Sequence, residues 1–260
     1  MRVYVLPATF RGTEQFSVSG KDAHYLTRVL RMREGSCFAA RDATGTFWDL
    51  TITAIDKGEC RISCKLAGKE PAAVTDSLPS YRGPFPEIHL YQCLCKGKKM
   101  EQIIRQTTEL GVTRIIPVSS EYCVVDISGK EEERRNKYGA VVKEALQQCG
   151  SSVMTTVADP IDISMIVSEW DNRGTAMVLH QVSVDNQMSL SELLENHVEA
   201  HPRAPIALVV GSEGGFSEKE VDSLVAGGFF PVLLKTNILR AETAAVVSVA
   251  LAQQLLVSHL

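Results

Sequence analysis

Residues 208–220 read "LVVGSEGGFSEKE": an apolar strand running into three glycines, with Glu213 set among them, and then a Ser-x-x-Glu helix start. Strand, glycine turn and capped helix in immediate succession form the building unit of open α/β sheets, which bind ligands at that turn. The turn is not a phosphate loop, because it has neither G-x-G-x-x-G nor the G-K-[ST] that supplies a lysine and a magnesium hydroxyl. A carboxylate beside loop backbone repels phosphate and attracts an ammonium or sulfonium, so this loop suits a small zwitterion. The plainer reading is that Gly214 and Gly215 serve a tight turn while Glu213 points to solvent.

The stretch that follows the next strand, "LLKTNILRAETAAVVSVALAQQLL" at 233–256, shifts the balance. From about Glu242 the helical pattern is apolar nearly all round, which requires burial in the domain or against another chain. Glu242 and Thr243 have an ordinary explanation as first-turn groups that satisfy free N–H groups. Arg240 has none. A guanidinium one element after a glycine loop is expected beside that loop, at the carboxyl ends of parallel strands.

Working outward, apolar strands at "IHLYQCL", "RIIPV", "TAMVLHQ", "IALVVG" and "PVLLK" alternate with amphipathic segments. The clearest helical stripe is Tyr138, Val141, Val142, Ala145, Leu146 and Cys149. Such alternation predicts a parallel sheet covered by helices on both faces. Ser189 with Glu192 and Ser217 with Glu220 read as capping boxes, and Gly111 and Gly227 as helix stops. Upstream, "GKEPAAVTDSLPSYRGPFPE" at 68–87 holds four of the ten prolines and few large aliphatics, the composition of a linker. The expected domains are therefore 1–70, a small antiparallel β domain, and 87–260, the α/β domain, joined by 71–86. The β-rich run 36–66 breaks at Asp42–Gly45 and Asp56–Gly58, where Asp and Gly favour hairpin turns. One short helix interrupts it: in "KDAHYLTRVLR", Ala23, Leu26 and Leu30 share one side while Lys21, His24, Arg28 and Arg31 share the other, a basic stripe.

The chain has 260 residues and is 45% hydrophobic, enough for a substantial core. Its first residues, "MRVYVLPATFRG", lack the apolar run of a secretory signal, and no run approaches the ~18 residues of a membrane span, so a cytoplasmic location is expected. Seven cysteines include no C-x-x-C and read as buried free thiols; six histidines are scattered without an acidic cluster, so no metal is expected. Net charge is −4, but residues 1–80 hold 11 basic and 9 acidic side chains (+2), leaving 16 and 22 (−6) for the remainder. The first domain is the better polyanion contact.

Taken together, "GSEGGFSEKE", "ILRAETAAVVSVALAQ", "KGKKMEQIIRQTTELGVTRIIPVSSEYCVV" and "EALQQCG" resemble the bacterial small-subunit (16S) ribosomal RNA uridine N3-methyltransferase family, of the trefoil-knotted SPOUT class. "DAHYLTRVLRMREG" and "DATGTFWDLTI" extend the resemblance over the first domain. It implies a PUA-like β-barrel that binds RNA, a C-terminal SPOUT α/β-knot domain, a homodimer and S-adenosylmethionine as cofactor. That molecule carries a sulfonium and an ammonium and no phosphate, which suits the loop. Carried over, Gly211, Glu213, Gly214 and Gly215 line the cofactor with Leu179 and His180, while Leu234, Ile238, Leu239, Arg240 and Thr243 enclose its adenine and methionine sides.

The resemblance implies methyl transfer to N3 of a uridine in 16S ribosomal RNA within the small ribosomal subunit. N3 attacks only as its proton leaves and charge spreads to the ring oxygens. Arg240 is the candidate to stabilise that charge, and Glu242 the candidate base. His24, Arg28 and Arg31, with Lys96, Lys98 and Lys99, are the candidate RNA contacts. The chain departs from the family pattern at Tyr122 and Cys123 in "SEYC", at Ser151, at Ser212 in the loop and at Lys235. Loss of two arginines there removes bidentate phosphate clamps. The rival readings are a SPOUT enzyme acting on another RNA position, such as a ribose 2′-hydroxyl, and a non-catalytic RNA-binding assembly factor.

Overall fold

The computed structural model describes residues 3–7, 9–67, 83–125, 129, 131–181 and 187–259. Most of the expected linker, 71–82, lies outside the described residues. The chain forms two compact units, Met1–Tyr81 with Leu146–Met154, and Arg82–Ala145 with Thr155–Leu260.

In the first unit β1 (Tyr4–Val5), β2 (Gln15–Ser19), β3 (Cys37–Arg41), β4 (Phe47–Asp56) and β5 (Glu59–Leu66) form one sheet in the order β1-β3-β4-β5-β2. β1 joins β3 in parallel and the other pairs are antiparallel. Both hairpin turns fall where Asp and Gly place them. Asp42 Oδ1 accepts from the N–H groups of Thr44 (2.8 Å) and Thr46 (3.0 Å) while its Oδ2 accepts from the Trp48 indole (2.9 Å), closing the β3–β4 turn. Lys57 and Gly58 (φ 44° and 85°) supply the left-handed pair of the β4–β5 turn. Alternate residues of these strands, among them Phe38, Ala40, Leu50, Ile52, Cys60 and Ile62, face one core.

The basic helix differs from its predicted form. α1 (Gly20–His24) widens into a π-type turn over Tyr25–Val29, closed by Leu30 N–H on Tyr25 O (2.9 Å). Ala23 and Leu26 are buried, and His24 and Arg28 are exposed, as the wheel requires. Arg31, however, leaves the helix with φ 55°, so the 3.6-residue spacing that aligned it with Arg28 does not hold.

In the second unit the strands are β6 (Ile88–Cys93), β7 (Arg114–Ser119), β8 (Thr156–Val157), β9 (Ile161–Asp162), β10 (Thr175–Leu179), β11 (Ile206–Val210) and β12 (Phe230–Val232). Their order is β12-β10-β11-β6-β7-β8 with β9 also on β7, and every pair is parallel. All carboxyl ends therefore meet at one edge. β6 and β11 are buried at every position, as strands covered on both faces must be. On one face Tyr91, Ile116, Val178 and Val209 pack with Trp170 of α4 (Ile166–Trp170) and with Val221 and Leu224 of α6 (Glu218–Ala226). On the other, α7 (Ala241–Val257) packs on β6, β11, α2 (Lys99–Glu109) and α5 (Leu190–Ala200). The helix carrying the Tyr138 stripe, α3, runs Glu131–Cys149.

Both Ser-x-x-Glu starts are helix N-termini: Ser189 Oγ accepts from Glu192 N–H (3.2 Å), and Ser217 N–H donates to Glu220 (2.9 Å). Gly111 ends α2 with φ 84°. Gly227 is the C-cap of α6, as expected, with the left-handed turn falling on the next residue, Gly228, at φ 89°; a Cβ on Gly227 would lie 2.4 Å from Val167 Cγ2. The cysteines are free, yet Cys37 is exposed and Cys64, Cys123 and Cys149 are half-buried, a correction to the reading of seven buried thiols.

Candidate functional site

β11 delivers the glycine loop to the common carboxyl edge, and the loop closes on itself through Gly215 N–H on Ser212 O (3.0 Å). Each glycine has its own reason. A Cβ on Gly211 would sit 3.0 Å from Gly215 Cα, and one on Gly214 would sit 2.8 Å from Tyr122 Cβ. Gly215 adopts φ +71° and its absent side chain would face open space, the geometry of a backbone cradle. Beneath the loop, buried Gln92 of β6 donates through Nε2 to Gly211 O (3.2 Å) and fixes the end of β11.

Glu213 is not the free carboxylate that its place among glycines suggests. Its Oε1 accepts from Lys99 Nζ (2.8 Å) and from Lys96 N–H (3.1 Å). Burial raises its pKa, but these hydrogen bonds outweigh burial and hold the carboxyl below its ordinary value. Lys99 also stands 3.8 Å from Glu242 Oε2, a buried oxygen with no hydrogen bond. Lys99, an expected RNA contact that is half-buried on the cleft lining, thus ties the glycine loop to the first turn of α7. Lys96 and Lys98 are exposed.

A cleft of about 1180 Å³ opens over this edge. Gly211, Glu213 and Gly215 form one wall; Leu179 and His180, at the end of β10, form another. The segment leaving β12 contributes Leu234, Ile238, Leu239 and Arg240. Among the expected site residues Gly214, Glu242 and Thr243 are not on the lining: Gly214 backs onto Tyr122, and Glu242 turns toward Lys99. His180 N–H donates to Val232 O (3.0 Å), and burial pushes its imidazole pKa below the usual value. Arg240 is the N-cap residue of α7 with extended backbone (φ −67°, ψ 154°), and its side chain makes no capping bond. Its exposed guanidinium has no protein partner among the described residues.

Sequence reasoning missed Tyr122, Ser212, Phe216 and Ser217 as lining residues. Only contacts across the fold bring the turn after β7 to the loop after β11. His197 and His201 form an H-x-x-x-H pair that the reading of scattered histidines passed over; His197 is buried against Thr175 Oγ1 (2.8 Å) and Ala204 O (3.1 Å), and no metal-binding group of three occurs among the described residues. No described helix is long and apolar enough to cross a membrane.

The comparisons with known proteins agree with this geometry. A family model for the RNA methyltransferase domain matches residues 82–253, and one for the RNA methyltransferase PUA domain matches residues 18–63. The ribosomal RNA small subunit methyltransferase E of Synechocystis sp. is 31% identical over 235 residues, 90% of this chain and 71% of the relative. This chain belongs to that family. The Bacillus subtilis member is 26% identical over 94% of this chain and 93% of its own length. Among solved structures, a Legionella pneumophila methyltransferase in complex with S-adenosylmethionine superposes with a TM-score of 0.81 at 23% identity, covering 98% of both chains. The Neisseria gonorrhoeae ribosomal RNA small subunit methyltransferase E, bound to S-adenosyl methionine, gives 0.80 at 24%, again over 98% of both chains. The two-unit architecture is that of the family: a PUA-like β unit followed by a parallel-sheet methyltransferase domain.

Proposed function

We propose that this protein methylates 16S ribosomal RNA of the small ribosomal subunit at N3 of a uridine, with S-adenosylmethionine as donor. The observation that carries the reading is one cleft that holds both a backbone cradle, Gly211 and Gly215, and an unpartnered guanidinium, Arg240. The residues fit the cofactor on two counts. Gly215 leaves open space where a side chain would stand, and the nearby lysine is committed to Glu213 rather than aimed at a phosphate.

When bound, S-adenosylmethionine supplies an electrophilic sulfonium methyl group. Gly211 and Gly215 would hold it through backbone, and Leu179, His180, Leu234, Ile238 and Leu239 would exclude water around it. The Arg240 fork would face the charge that develops on the uracil oxygens as the N3 proton passes to water. Glu242 is assigned a different part from the base first considered: with Glu213 it holds Lys99, and so fixes the loop against α7. His24, Arg28 and Arg31, together with Lys96 and Lys98, grip RNA backbone.

A trefoil-knotted SPOUT homodimer in the cytoplasm completes the proposal. The support for pairing is the outer face of α7, where Ala244, Val247 and Leu251 share a side and Leu251 is 43% exposed. Light scattering at micromolar concentration tests it, with a monomer as the contrary result. The enzymatic reading is tested by incubating methyl-labelled S-adenosylmethionine with small subunits from a strain that lacks this protein. Label is expected in the 16S RNA with wild-type protein and not with Gly215→Val; no transfer by the wild type would overturn the reading.

A further inference from the structure

We infer that Tyr122 is a stacking platform for a nucleobase of the RNA substrate, its backbone anchored at the cleft beside the glycine loop. The inference rests on the RNA methyltransferase reading and adds to it a substrate-contacting residue. Among the described residues three aromatic rings line the cleft: Tyr122, Phe216 and His180. Phe216 is 8% exposed and packs into the sheet's core cluster, and His180 is a half-buried strand-end imidazole. Tyr122 alone among them presents a large ring to solvent, at 45% exposure, with no ring partner among the described residues.

Its backbone is fixed from several directions. Cys123 N–H closes the turn on Ser120 O (3.0 Å), and Glu121 N–H donates to Glu220 Oε1 (2.7 Å) of α6. Ser212 Oγ donates to Tyr122 O (3.4 Å), and the Cys123 thiol donates to Leu94 O (3.4 Å). On the inner side Gly214, by lacking a side chain, leaves room for the Tyr122 Cβ, so the base of this side chain stands beside the loop whose other glycines form the cradle.

A base whose N3 is to be methylated cannot stay Watson–Crick paired, and a base reached in a cleft loses its stacking neighbours. An aromatic side chain replaces that stacking irrespective of base identity, and one carried on an anchored backbone leaves only its own side-chain torsions to be ordered on binding. Such an interaction is made in the bound complex and in the transition state alike, so it strengthens RNA binding and leaves turnover unchanged.

The test uses the full-length protein with small subunits from a strain lacking it, and compares Tyr122→Ala, Tyr122→Leu and Tyr122→Phe. Stacking predicts that Tyr122→Ala raises KM for subunits, and their Kd by filter binding, about 5- to 150-fold. Turnover at saturation and S-adenosylmethionine affinity by calorimetry stay at wild-type values, Tyr122→Phe restores binding, and Tyr122→Leu restores it only in part. Equal RNA affinity for wild type and Tyr122→Ala overturns the inference, as does failure of Tyr122→Phe to rescue, or a matching loss of cofactor affinity. A second readout is independent of catalysis: photocrosslinking of 5-iodouridine-substituted 16S RNA, with the crosslink mapped by mass spectrometry to Tyr122. Crosslinks confined to other residues refute the platform, whereas absent methyl transfer by the wild type refutes the enzymatic reading instead.

Discussion

Arg240→Lys separates a catalytic guanidinium from a pocket wall. The side chain is exposed, makes no capping bond to α7 and has no protein partner among the described residues, so the substitution should change folding stability by no more than about 0.5 kcal/mol. Lysine keeps the positive charge and loses the planar fork that can address a uracil oxygen with two donors. Removing one well-aimed donor from developing negative charge costs about 2 to 4 kcal/mol, and hence about 30- to 900-fold in the chemical step. Single-turnover methylation of small subunits isolates that step, and calorimetry on the same preparations gives cofactor affinity. A large rate loss at unchanged affinity is expected. Methylation at the wild-type rate, or a loss in proportion to lost cofactor binding, would refute the argument and leave Arg240 as a lining residue.

Gly215→Val forces a β-branched residue into φ +71°, which costs at least about 1–2 kcal/mol, and sends its side chain into the open cleft. Calorimetry should show S-adenosylmethionine affinity reduced about tenfold or more, and unchanged affinity would remove this loop from the cofactor site. His89 and His197 are each 3% exposed, and burial, the leading cause, holds both below the ordinary imidazole pKa of 6.5. The unfolded chain therefore binds more protons than the folded one below about pH 6.5, so urea midpoints should be flat above that value and fall toward about pH 5.5. A stability that rises on acidification over that window would contradict the assignment. Arg28→Ala with Arg31→Ala should weaken RNA binding without touching cofactor affinity. If both arginines meet duplex phosphates, the log–log salt slope drops by roughly 1.8; because Arg31 has left the helix, the two single variants will show whether it contributes as Arg28 does.

The glycine loop was legible because glycines and a following Ser-x-x-Glu report local backbone geometry, which sequence encodes directly. Arg240 was legible for a similar reason: a cation directly before an apolar helix has no local use. What periodicity could not show is which distant segments meet. Glu213 finds Lys99 in α2, more than a hundred positions away, and the free carboxylate that the loop advertised becomes half of an ion pair. Tyr122 meets Gly214 for the same reason, through the insertion of β11 between β10 and β6. The widening of α1 at Tyr25 and the departure of Arg31 from the helix depend on packing that no helical wheel contains.

The most direct test of the central claim is the identity of the methylated nucleoside. Small subunits from a strain lacking the protein, incubated with the purified protein and S-adenosylmethionine, are digested to nucleosides and analysed by mass spectrometry against standards. The account predicts 3-methyluridine at one position in the 16S RNA, absent before incubation. A 2′-O-methylated nucleoside, or no methylated product from a protein that binds the subunit, would contradict it.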